Sequence, residues 1–141
     1  MKLTKKEAKE IRQWVGDYFC EVIMPVCFLA GYKVYTHIKE DGKNDFSIKV
    51  NFPYRSVRLY IEQGGVEHYK NKDWEAIRFV LFHEAFHLIN WKFREYAGQR
   101  FIAEDVLDNV EEDVADKFAM IVDYLWKQNN ETNKPRKNKK N

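Results

Sequence analysis

At 141 residues, with 45% hydrophobic, 16% aromatic and 33% charged side chains, the chain has the composition of one folded domain with a real core, which excludes a disordered or fibrous protein. The formal net charge of +2 predicts no strong polyanion affinity for the body. The opening MKLTKKEAKE lacks the apolar centre of a signal peptide, and no apolar run approaches bilayer length, so a cytoplasmic protein with no membrane partner is expected.

Thr4 and Glu7 form a capping-box pattern that opens a helix. Ile11, Trp14, Val15, Tyr18, Phe19, Val22 and Ile23 then recur at helical spacing, a stripe broad enough to pack on something large. Pro25 ends or kinks this helix. Cys20 and Cys27 lie in apolar surroundings without CxxC spacing, which predicts buried free thiols. From Tyr32 the period falls to two: Val34, Thr36 and Ile38 alternate with polar residues up to the turn-rich Asp41-Gly42-Lys43-Asn44. Phe46, Ile48, Val50 and Phe52 repeat the pattern, and Val57, Leu59 and Ile61 repeat it again after Pro53-Tyr54. Short connections between alternating strands predict an antiparallel three-stranded meander with one face on the core. Gly64-Gly65 breaks it, and Val66 to Tyr69 is a candidate fourth strand. His37 and His68 are isolated and read as surface residues.

Asn71 or Asp73 can cap the next helix, Asp73 to Asn90. Trp91 to Arg100 reads as a mixed connection broken at Gly98. A last helix runs from about Ala103 to Trp126 on an apolar stripe of Leu107, Val110, Val114, Phe118, Ile121 and Leu125. After Lys127 the sequence QNNETNKPRKNKKN has no apolar residue. The expected organisation is therefore one α+β domain, 1–128, with a disordered basic tail, 129–141. That tail reads as a solubilising terminus, leaving nucleic acid an expected partner only for a weak tail contact.

The chemistry lies in His83-Glu84-Ala85-Phe86-His87. Helical residues four apart share a face, so His83 and His87 can present ring nitrogens to one ion. Glu84, one position round, can reach a water on that ion without binding it. Two neutral imidazoles suit Zn²⁺, and two histidines with a carboxylate leave an open position for water. The surrounding Ile77, Val80, Leu81, Phe82, Phe86, Leu88 and Ile89 imply a buried helix, in which three ionisable residues within five need a partner such as zinc. The expected reaction is peptide-bond hydrolysis by a metal-bound water that Glu84 deprotonates.

The last helix contains Glu112-x-x-Ala115-Asp116 within EEDVADKFAM. HExxH followed on a later helix by ExxAD resembles the gluzincin metallopeptidases. The small size and the order helix, sheet, HExxH helix, glutamate helix resemble the minigluzincins, and EEDVADKFAM resembles the matching segment of ImmA/IrrE-type cytoplasmic peptidases. The resemblance implies a zincin-like fold, with His83, His87 and Glu112 as zinc ligands and Glu84 as general base. It makes Asp116 the acceptor for the remaining ring N–H of a ligand histidine. Glu111 is an adjacent alternative, since its helical neighbours Ala115 and Phe118 face the core; the pattern with Asp116 favours Glu112. The implied partner is a peptide or protein substrate extended along a sheet edge above the HExxH helix, although alternation does not say which strand is the edge. Tyr60, Tyr69, Tyr96, Tyr124 and His68 are available to stabilise an oxyanion, with no motif to choose among them. The other reading is a catalytically weak, zinc-stabilised module that binds or regulates a protein or nucleic-acid partner.

Overall fold

The computed structural model describes residues 3–27, 29, 31–51, 54–98 and 104–132. Helix α1 spans Lys5–Tyr18 and opens on the expected capping box: the Thr4 hydroxyl accepts from Glu7 N–H at 3.2 Å, and the Glu7 carboxylate accepts from Thr4 N–H at 2.8 Å. The buried residues Ile11 and Val15 of α1 and Phe19 and Ile23 just after it are each four apart. In an ideal α-helix such a repeat drifts by about 40° per step. The wider π turn at Phe19–Ile23 counters the drift, and it stands next to Pro25, whose missing N–H already weakens the α ladder. A single α turn, α2 at Met24–Val26, closes the segment. Cys27 is buried as expected; Cys20 is exposed, because its apolar sequence neighbours lie on another face of the helix.

Three strands follow: β1, Lys33–Ile38; β2, Phe46–Asn51; and β3, Ser56–Ile61. Each turns one face inward as alternation predicts, with Val57, Leu59 and Ile61 of β3 fully buried. The antiparallel meander is not what forms. The strand order is β1-β3-β2, with β3 antiparallel to β2 but parallel to β1, so the sheet is mixed. The connection from β1 to β2 passes the position β3 takes, and the buried Glu62 holds it there. Its carboxylate accepts from Asn44 N–H at 3.0 Å and Ser47 Oγ at 2.7 Å, and pairs with Lys39 Nζ at 3.5 Å. Gly42 lies so close to this carboxylate that a Cβ would collide with it.

Val66 to Tyr69 is not a fourth strand but part of helix α3, Gln63–Asn71. The two glycines thought to break the chain instead let the first turn of α3 pack against the start of β2, where Gly64 and Gly65 N–H bond Asn44 and Asp45 C=O. Lys72, in the left-handed region at φ 57°, ends α3. Helix α4 runs Trp74–Gly98, so Trp91 to Gly98 continues the helix instead of leaving it; Arg100 lies outside the described residues. Asp73 does cap α4, its Oδ1 accepting from Ala76 N–H at 3.2 Å. Helix α5, Glu104–Thr132, exceeds the expected end by six residues, so 129–132 are helical. Residues 133–141, the rest of the expected tail, lie outside the described residues.

The helices cover one face of the sheet. Phe19, Leu59, Ile61, Ile77, Phe82 and Leu88 fill the layer between them. Among the described residues no helix is long and apolar enough to cross a membrane. The protein is thus α+β with a three-stranded mixed sheet.

Candidate metal centre

Helices α4 and α5 pack along their length, with Ala115 and Ala119 fully buried where the backbones approach and Phe86 set against Phe118 at 5.4 Å between ring centroids. That close approach brings one turn of each helix into register. His83 and His87 project from α4, with their ε nitrogens 2.9 Å apart. The Glu112 carboxylate of α5 meets both, one oxygen 3.1 Å from His83 Nε2 and the other 3.3 Å from His87 Nε2. His83, His87 and Glu112 form a group that could hold a metal ion.

Each ring is oriented from its other side. His83 Nδ1 lies 2.9 Å from Asp116 Oδ1, and His87 Nδ1 lies 3.0 Å from Glu111 Oε1. The four-residue step from Glu112 to Asp116 keeps both on one helical face. Glu111 is the residue sequence reasoning missed in this role. Its position about 100° round the helix from Glu112 turns it inward, and its core-facing neighbours Ala115 and Phe118 were the available signal. Glu111 is buried, whereas the Asp116 side chain is 62% exposed, more open than a partner to a ring N–H would be expected to be.

Glu84 is 7% exposed. Burial first, then the carboxylates of Glu112 and Glu62, push its carboxyl up to about 8, against the opposing effect of the Ile48 backbone N–H. Ile48 belongs to β2, an edge strand of the sheet. Because Glu62 N–H bonds Asp45 C=O, the register turns the backbone groups of Phe46, Ile48 and Val50 away from β3 and toward the open edge. That edge is the one beside α4, and Glu84 lies where the two meet.

The candidates for oxyanion stabilisation are scattered. His68 sits on α3, 3.6 Å from Asp45 and 3.3 Å from Asp73. Tyr69 packs edge-on against Trp14 and Trp74, and Tyr60 pairs with His37 on the sheet. Tyr124 is exposed two turns beyond Asp116, and the side chain of Tyr96 lies outside the described residues. Comparisons with protein-family models, curated proteins and solved structures give no match.

Proposed function

We propose that the chain is a zinc-dependent peptidase of the gluzincin kind, with a zincin-like fold and a peptide or protein substrate. One observation carries the reading: the ε nitrogens of His83 and His87 stand 2.9 Å apart, with one Glu112 oxygen 3.1 Å from the first and the other 3.3 Å from the second, while each histidine's δ nitrogen faces a carboxylate. Each ring faces a carboxylate at both nitrogens, and hydrogens placed on Nδ1, toward Asp116 and Glu111, would leave both ε nitrogens as lone pairs directed at each other and at Glu112. A cation relieves that arrangement. Zinc fits it: at bonds of about 2.0–2.1 Å, tetrahedral neighbours stand roughly 3.3 Å apart. Two histidines and one glutamate leave a fourth position for water, the pattern of a catalytic ion. When bound, zinc would supply a Lewis acid and bring the pKa of a water molecule near neutrality.

The chain's own residues have distinct tasks. Asp116 and Glu111 fix the ring tautomers. Glu84 is the proton carrier: it takes a proton from the attacking water and delivers it to the departing amine. Ile48 N–H holds the Glu84 carboxylate at the foot of β2. The outward backbone groups of Phe46 and Val50 give an extended peptide a strand to pair with, which carries its scissile carbonyl past His83 and His87.

The test measures metal and cleavage together. Protein loaded with zinc should retain about one ion per chain and cleave denatured casein. Glu84→Gln should retain the ion and lose at least about a hundredfold in rate. Equal cleavage by both proteins would reduce the site to a zinc-stabilised binding module, and absence of zinc after loading would remove the site itself.

A further inference from the structure

The near-balance of 24 basic and 22 acidic residues conceals an uneven distribution. Among the described residues the sheet has helices on one face only, and its other face presents three side chains from each strand, none of them acidic. In one row, Tyr35, Arg58 and Lys49 stand side by side across the three strands, all exposed. The next row holds His37 beside Tyr60, ring centroids 5.6 Å apart, and Lys33 stands two residues before Tyr35 on β1. Rows in a sheet are about 7 Å apart and columns about 4.8 Å. Three cations and three rings therefore share an area a few nucleotides wide. None of Lys33, Lys49 and Arg58 pairs with a carboxylate among the described residues.

We propose that this face binds single-stranded nucleic acid, with Tyr35 and the His37–Tyr60 pair stacking on bases and Lys33, Lys49 and Arg58 meeting phosphates. Rings interleaved with cations on an open sheet suit unpaired bases, which offer a flat face to each ring and a backbone to each charge. A duplex keeps its bases stacked on one another and leaves the rings unused. An anionic membrane would reward inserted Trp, Phe or Leu, and the outward positions carry none. An acidic peptide would satisfy the cations but gives the tyrosines no partner. Tyr35 is 52% exposed, and among the described residues no ring packs against it.

Fluorescence anisotropy of the full-length protein with a labelled twelve-nucleotide oligouridine tests the assignment, with a duplex RNA and phosphatidylserine vesicles as competitors. Three phosphate contacts on a single strand give a log–log salt slope of about −2, or roughly 20-fold weaker binding at 200 mM than at 50 mM salt. The Lys33→Glu/Lys49→Glu/Arg58→Glu protein should lose most of that slope and most of the binding. Tyr35→Ala should cost roughly tenfold, and Tyr35→Phe, which keeps the ring, almost nothing. Melting temperatures near the parent's establish that the variants are folded. Replacing the five basic residues of the tail, from Lys134 to Lys140, by Gln should leave the preference for the single strand intact. Binding that survives charge reversal on the sheet, vanishes with the tail charges, or is displaced better by vesicles than by oligouridine overturns the proposal. His83→Ala should bind the oligonucleotide as the parent does, so this result stands or falls apart from the zinc site.

Discussion

Among the described residues, helices α4 and α5 meet through two clusters of charged side chains, and the two are built differently. Near one end, Arg78 donates to Asp123 at 2.6 Å, Lys127 reaches the same carboxylate at 3.0 Å, and the guanidinium lies 4.3 Å over the Trp126 ring. Cations, anion and ring come from the two helices themselves. Two turns away, His83 and His87 are ringed by Glu84, Glu111, Glu112 and Asp116. Among the described residues none of Glu84, Glu112 and Asp116 is paired with Lys or Arg. The first cluster brings its own cations and anion together when the chain folds, with Arg78 Nη2 buried beside them without a hydrogen-bond partner among the described residues. The second gathers acceptors, which in the proposed function a cation from outside completes. The difference separates a device of stability from a site.

The largest effect should come from breaking the Arg78–Asp123 cluster. Arg78 and Asp123 are both largely buried, and removing one partner of such a pair costs about 3–5 kcal/mol. Arg78→Ala should lower unfolding free energy by that order in denaturant titrations while leaving zinc stoichiometry unchanged. Loss of zinc binding would show that the two clusters are not independent. Next in size, zinc at a hundred times its dissociation constant should stabilise the parent by about 2.7 kcal/mol. His83→Ala and His87→Ala should gain nothing from it. A melting curve of His83→Ala that rises with zinc as the parent's does would place the ion elsewhere.

The histidine cluster was the more legible of the two. His83 and His87 are four residues apart on one helix, so local spacing alone brings them together, and Glu112 and Asp116 repeat that spacing on the partner helix. The Arg78–Asp123 pair spans 45 positions with no spacing rule to announce it. The sheet was half legible for a related reason. Alternation fixes which face of a strand is buried, and Val34, Ile48 and Leu59 all obey it, but three strands with one pattern carry no record of their order. Order depended on Glu62, whose anchoring of the 39–45 connection is tertiary. Gly64 and Gly65 misled because a glycine read as a breaker was there for close packing.

The two neighbouring glutamates sharpen the comparison within the site. Glu112→Ala should nearly abolish zinc binding, as it removes a proposed ligand. Glu111→Ala removes the acceptor of His87 Nδ1 and should cost about 10–100-fold in zinc affinity, read by competition with a chelating dye. The opposite ranking would exchange their roles.

Acid separates the clusters again. Burial alone would raise the Asp123 carboxyl, but hydrogen bonds from Arg78 and Lys127 hold it below the usual value. A depressed folded pKa means its stabilisation is fully present above the unfolded carboxylate value of about 3.9 and is lost as pH falls through the folded one. Stability should therefore decline on the acid side of about pH 4, less steeply in Asp123→Asn. Identical acid slopes in the two proteins would mean that this pair carries no share of the pH dependence.

The smallest effect is expected at Asp116, and it tests how much a solvent-open partner can orient a ligand. Its Oδ1 stands 2.9 Å from His83 Nδ1, yet the side chain is 62% exposed, against 5% for Glu111. Water can replace an exposed acceptor, so the ring keeps a partner when Asp116 is changed; at Glu111 no such replacement is at hand. Asp116→Asn retains an acceptor oxygen and removes the charge. Zinc affinity should fall by no more than about tenfold, the low end for partners of ligand histidines, with the fold intact. A loss at Asp116 equal to that at Glu111 would mean that charge rather than burial sets the strength of these contacts. The protein's two orienting carboxylates would then be equivalent despite their different surroundings.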